Sequence, residues 1–266
     1  MYLNMVILFI LGLILGSLFV KVGLRLGLKL PILGKSRCLS CEHELKLYEQ
    51  IPIISYLIQK KKCNYCNEKI SSMYFYFEII TAILFVLTYL VYIDSIDPVI
   101  YIIYGLLIIS SLVIVVVSDI NYYIIPNEVL IFFLVIIVLF KIYIGIINDE
   151  VLGIMDAGYE IIFMLFDAFI MFIIMYIIKK IGDLFFNKMS IGGGDIKLMS
   201  FIAVFMGYRL GIVILFIASF LALPISIINI HKNDKQVLPF GPYLAIATII
   251  LLLLNINFDQ IIDFIH

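Results

Sequence analysis

Ile191-Gly192-Gly193-Gly194-Asp195-Ile196-Lys197 sets three consecutive glycines and a carboxylate at the start of a hydrophobic run. Glycine permits close backbone approach and dihedrals that other residues resist. A carboxylate at a membrane edge is costly unless it faces a protein interior or a wet cavity. A second acid, Asp119, closes another apolar run. Two carboxylates held a few ångströms apart do not both ionise readily, so they share a proton and can serve as base and acid in one reaction. One would deprotonate a water attacking a peptide carbonyl; the other would polarise that carbonyl and help the amine leave. The plainer reading is that each aspartate caps a helix or lies at an interface. Their shared position at one membrane rim, with glycines alongside, favours chemistry.

The cysteines suggest a different kind of site. Cys38-x2-Cys41 and Cys63-x2-Cys66 are separated by 21 residues, close to the spacing of a four-thiolate zinc site. Each CxxC turn presents two thiolates to one tetrahedral ion, and a reducing cytoplasm keeps them available. Four cysteines leave no open position, so the zinc would be structural. The competing reading, two disulfides on the outer face, requires an inverted topology. His43 is surplus to four thiolates, and His231 and His266 suggest no role. Lys197 reads either as a group that fixes a substrate or a carboxylate, or as a snorkelling interfacial anchor. Glu78 and Asp167 lie inside apolar spans. Glu78 could pair with the basic loop or serve helix packing, and Asp167 reads first as a buried hydrogen-bonding group and second as part of a pocket.

These groups need a membrane to position them. The 266 residues are 64% hydrophobic and 14% charged, with a mean hydropathy of +1.19. That balance belongs to a polytopic membrane protein. The expected fold is an all-α membrane helix bundle of about eight spans with a small cytoplasmic zinc-binding loop domain. The net charge of −1 calls for no nucleic-acid partner; the bilayer is the expected one. Apolar runs place spans at about 3–22, 73–92, 99–118, 126–147, 158–178, 196–206, 211–230 and 243–256. Lys179-Lys180 is expected to stop the fifth, and the tight turn 207–211 to join the sixth and seventh. Lys21, Arg25 and Lys29 follow the first run, so the positive-inside rule puts the N-terminus outside and both aspartates on the cytoplasmic rim. Of the basic residues, Lys141 and Arg209 fall near the outer side. Gly12 and Gly16, four apart, suit close helix packing. The domains expected are a first span at 1–23, a four-cysteine domain at 24–72 and a protease domain at 73–266.

Gly192-Gly193-Gly194-Asp195 fits the GxGD signature of intramembrane-type aspartyl proteases, and the run from Asp119 to Asn127 resembles the first aspartate motif of type IV prepilin peptidases. Gly16-Ser17, the paired CxxC motifs, Glu49-Gln50-Ile51-Pro52, Glu78 and Pro239-Phe240-Gly241-Pro242 occur in that family's order. The resemblance covers nearly the whole chain. It implies catalytic Asp119 and Asp195, an active-site loop with Gly192, Gly194 and Lys197, and metal ligands Cys38, Cys41, Cys63 and Cys66. It further implies a bacterial inner-membrane enzyme that removes the basic leader of prepilins or pseudopilins after a glycine, serving type IV pili or protein secretion. N-methylation of the new terminus with S-adenosylmethionine would follow. The sequence departs from the family pattern at Asn121 and Asn127, where Asp is frequent, at Val20, where Asn is frequent, and at Met73 and Phe75, where Arg and Pro are frequent. Asp119 is thereby the only acid in its motif, and the changes near the first loop bear more on methyl transfer than on cleavage. A second functional class is a proton-coupled transporter, with Asp119, Asp167 and Asp195 relaying ions and the zinc loop regulating it. Such a carrier needs ionisable groups near the midplane, whereas the two motif acids lie at one rim.

Overall fold

The computed structural model describes residues 2–32, 34, 38, 41, 43–46, 49, 51–148, 152–186, 191–231 and 238–256. Within them the chain is helical: α1 (Tyr2–Gly27), α2 (Ile54–Ile58), α3 (Ser72–Tyr92), α4 (Pro98–Tyr122), α5 (Asn127–Asn148), α6 (Leu152–Phe186), α7 (Gly193–His231) and α8 (Gly241–Leu254). Lipid offers no partner to a backbone amide, so helices that satisfy their own groups are what such apolar runs form. Among the described residues six helices are long and apolar enough to cross a membrane, and the chain is a multi-pass membrane protein. It divides into two compact units, Met1–Tyr122 and Tyr123–His266.

In the first unit α1 is the shared spine, packed against both α3 and α4. Its glycines make this possible. A Cβ at Gly12 would stand 2.5 Å from the Ala82 Cα, and one at Gly16 would stand 2.8 Å from the Glu78 Cα, so α3 lies against bare backbone. Gly23 and Gly27 do the same toward α4, where added carbons would meet the Ile114 carbonyl and the Tyr122 ring. At the end of α1, Arg25 donates to the carbonyls of Pro31 and Ile32, tying down the chain as it leaves the helix.

In the second unit α6 packs along α5 and α7. Lys141 on α5 forms an ion pair with Glu160 on α6, so this exception to the charge rule is a neutralised one. Two helices extend beyond the ends expected for their spans. The helix does not stop at Lys179-Lys180 but continues to Phe186; a helix outlasts its apolar stretch because lysine stems lie along it while the ammonium groups reach water. Span three likewise runs past Ser118, so that Asp119 lies inside the last turn of α4.

The 39 residues of α7 are not one straight rod. Gly207 has φ 77° and ψ 157°, and a Cβ at Gly211 would lie 4.0 Å from the Ala203 Cβ. Eight residues of continuous helix separate their ends by about 12 Å, so the chain folds back here. The halves 193–206 and 208–231 are the expected sixth and seventh spans. With α8 they make up the eight segments read from the sequence, although α8, at 14 residues, is shorter than a full crossing.

Valine at Gly12 or Gly16 should force α1 off α3, costing about 1–3 kcal/mol and lowering the thermal midpoint of the purified protein. Gly158, with nothing within 4 Å of an added carbon, is the contrast: Gly158→Ala should leave the midpoint unchanged or raise it, since alanine favours a helix by roughly 0.5–1 kcal/mol.

Candidate active site and metal centre

Asp195 lies in the first turn of α7, where the amide dipoles of a helix start favour an anion. The glycines before it are not equivalent. A Cβ at Gly192 would stand 3.0 Å from the Asp195 Oδ2, and one at Gly194 would press on Ile125 at 3.2 Å, whereas one at Gly193 would meet nothing within 4 Å. The carboxylate thus folds back over Gly192, and Gly194 lets the helix begin against the segment that leads into α5. A side chain at either outer glycine would crowd a neighbouring side chain, and one at the middle glycine would not.

Lys197 Nζ donates to Asn127 Oδ1 at 3.0 Å, joining the start of α7 to the start of α5. Both residues stand at one end of an open groove of about 380 Å³, otherwise lined mainly by apolar side chains such as Leu130, Ile131, Phe172 and Phe201. Asp119 belongs to the first unit. It is 5% exposed, and Asn121, in the same motif, turns back to donate to the Val117 carbonyl at 2.7 Å and to lean on the Met73 sulfur. Ser118 is wholly buried beside it.

The structure brings all four cysteines together. Their sulfur atoms lie within 4.8 Å of one another, and Cys38 and Cys66 are 3.7 Å apart. A disulfide would hold sulfurs at about 2.05 Å, whereas zinc bonds of about 2.3 Å in tetrahedral array put them about 3.8 Å apart. The donor set therefore fits a tetrahedral metal ion. Backbone turns shape it: the Cys38 N–H donates to the His43 carbonyl, the Cys63 N–H to that of Glu68, and the Asn67 N–H to that of Cys63. His43 is no ligand; its ring packs on Tyr65 at 3.5 Å between centroids. The Glu68 N–H favours the Cys66 thiolate, but desolvation and the crowding of Cys41, Cys63 and Cys38 outweigh it and push that thiol up to about 12. A metal must displace its proton, so occupancy falls on acidification.

Two acids outside the motifs hold this loop together. Glu49, 5% exposed, accepts from the Lys46 N–H and from Asn64 Nδ2, bridging the two cysteine-bearing stretches. Glu78 accepts the Ile53 N–H at 2.7 Å and a bond from Ser17, fastening the loop to α3 and α1. The sequence reads Glu78 as pairing with the basic loop or serving helix packing; the loop partner in the structure is the Ile53 backbone N–H and not a basic side chain. The role of Glu49 is not written in its own surroundings, because its partners are three residues before it and fifteen after.

Two family models match the chain, the Bacterial Peptidase A24 N-terminal domain over residues 10–92 and the Type IV leader peptidase family over residues 106–227. A prepilin leader peptidase/N-methyltransferase of Bacillus subtilis is 34% identical, covering 97% of this chain and 96% of its own length. This chain belongs to the type IV leader peptidase family. Relatives with the same description from Aeromonas hydrophila and Vibrio cholerae are 29% and 28% identical, over 82% and 94% of this chain and 71% and 96% of theirs. No solved structure matches. As a type IV leader peptidase the chain is an enzyme.

On the reading proposed below, in which Asp195 is catalytic, Gly192→Ala and Gly194→Ala should each lower peptidase turnover more than Gly193→Ala does; kcat on a prepilin substrate distinguishes them. For the metal centre, elemental analysis of protein purified at neutral pH should find about one zinc per chain. Cys63→Ser should lower that ratio, and transfer of the wild-type protein to mildly acidic buffer should release the ion.

Proposed function

We propose that this type IV leader peptidase is an aspartyl endopeptidase that cleaves the basic leader from prepilins or pseudopilins after glycine, with Asp119 and Asp195 as its catalytic pair. The observation that carries the reading is the unequal demand on the three glycines. A Cβ would crowd the Asp195 carboxylate at Gly192 and Ile125 at Gly194 but would meet nothing at Gly193, the pattern a GxGD signature built around one carboxylate would show. The proposal requires Asp119 and Asp195 to share a proton. The ionised member takes a proton from water, whose oxygen attacks the scissile carbonyl carbon; the protonated member donates to the carbonyl oxygen. The tetrahedral intermediate then collapses, the C–N bond breaks with proton delivery to the amine, and the leader leaves with a C-terminal glycine. Lys197, tied to Asn127, fixes the start of the helix that carries Asp195.

The proposal sets this reaction at the cytoplasmic face of a bacterial inner membrane, with the N-terminus outside. Residues 24–72 form a zinc-ordered loop domain that helps to hold the leader, and 73–266 form the protease domain. Zinc, held by Cys38, Cys41, Cys63 and Cys66, has a structural role, since four thiolates complete its shell. The relatives' description as N-methyltransferases supports a second step, methylation of the new N-terminus, for which S-adenosylmethionine would supply the methyl group. Positions 20, 73 and 75 bear on that step. Val20 is fully buried, Met73 packs on Asn121 and Phe75 stacks on Tyr56; these three side chains offer a bound sulfonium no polar group, and no methyl-transfer chemistry is assigned to them.

Co-expression with a prepilin whose basic leader ends in Gly-Phe should yield a shortened pilin, and mass spectrometry of its N-terminus reports cleavage site and methylation together. Asp119→Asn and Asp195→Asn should each reduce cleavage by at least roughly 10²- to 10⁴-fold. Wild-type processing by either variant would sink the pairing.

A further inference from the structure

Asp167 is an acid within an apolar span that neither the peptidase reading nor the metal loop uses. It lies on α6, opposite the fold-back in α7. Gly207 takes a left-handed φ of 77°, so the chain turns there and the half 208–231 begins anew, with Tyr208 contributing its first free N–H. A helix start is ordinarily capped by the side chain of the residue just before it, and glycine has none. Here a neighbouring helix supplies the cap. The Asp167 carboxylate accepts the Tyr208 N–H, with the Arg209 guanidinium as the charge close by, and a Cβ at Gly207 would stand 3.4 Å from its Oδ2. Arg209 Nε in turn donates to the Tyr208 hydroxyl at 3.4 Å. One turn further along α6, Met171 fills the hollow above Gly211, 3.2 Å from where a Cβ would be, and Met171 and Met175 are fully buried. Positions 167, 171 and 175 recur every four residues and form one stripe of α6.

We propose that Asp167 is a positioning residue: by capping Tyr208 from outside α7 it fixes the turn at Gly207, and so sets the height of the half-helix 193–206 that carries Asp195 and Lys197. Without Asp167 the Tyr208 N–H loses its acceptor, and the turn would shift to relieve it. The 193–206 half is a continuous helix, so a displacement at one end is carried to Asp195 at the other. The activity arm of the test rests on the peptidase reading above; the structural arm does not.

The full chain in lipid nanodiscs is compared with Asp167→Ala, Asp167→Asn and Arg209→Ala, reading kcat and KM on a prepilin and hydrogen exchange of the peptide spanning 203–211. Asp167→Ala should lower kcat roughly 10- to 100-fold with KM little changed and should speed exchange at Tyr208. Asp167→Asn keeps an acceptor oxygen and should restore both; Arg209→Ala should be mild. Unchanged exchange and turnover in Asp167→Ala overturns the proposal, as does an Asp167→Asn as defective as Asp167→Ala, which would mean that charge and not capping matters. If the wild type cleaves no prepilin, the peptidase reading fails while exchange still decides the cap. Should Asp167→Ala not accumulate, Asp167→Ser, with a short acceptor, is compared with Asp167→Val: protection in the serine variant alone supports the cap, and equal loss overturns it.

Discussion

Lipid supplies no hydrogen bonds, and at three irregularities among the described residues protein supplies them. Within a regular helix the problem does not arise, because each amide finds its partner four residues away. It arises where α7 reverses at Gly207, where α1 gives way to the loop, and where the loop returns to α3. At the first an aspartate on another helix takes the exposed N–H; at the second Arg25 gathers the carbonyls of Pro31 and Ile32; at the third Glu78 accepts from Ile53. Charged side chains in this protein are few, and several of those present serve to complete the backbone.

The same economy shapes the contacts between helices. Apolar side chains meeting in lipid gain little that lipid contact would not give, so helices associate where backbones approach closely. The glycines of α1 bring it against α3 and α4 in turn. At the glycine run before Asp195 the purpose differs, since Gly192 makes room for a carboxylate and Gly194 for Ile125. Close approach there shapes a site instead of joining two helices.

Much of this was legible in the sequence, for reasons that differ by element. The spans show because an apolar run of about twenty residues has one physical solution in a bilayer. The cysteine cluster shows because thiolate chemistry fixes both residue type and spacing. Gly207 shows as a turn, and Gly12 and Gly16 as a packing face. What did not show depends on partners distant in the chain. Nothing around Asp167 announces that it caps a residue forty-one positions away, and nothing around Glu49 announces Asn64. Helix α6 runs on past Lys179-Lys180 because hydropathy marks where lipid stops, and a helix ends only where its hydrogen bonding does.

The glycine spine of α1 also has a bearing on biogenesis. Both faces that those glycines bare are completed by α3 and α4, which leave the ribosome only after the whole cysteine loop has been made. The neighbours of α1 are translated in the order in which its glycines meet them, the partner of Gly12 and Gly16 first and that of Gly23 and Gly27 second. The loop is thus a delay as well as a domain, and the time it takes to emerge sets how long α1 waits for its partners.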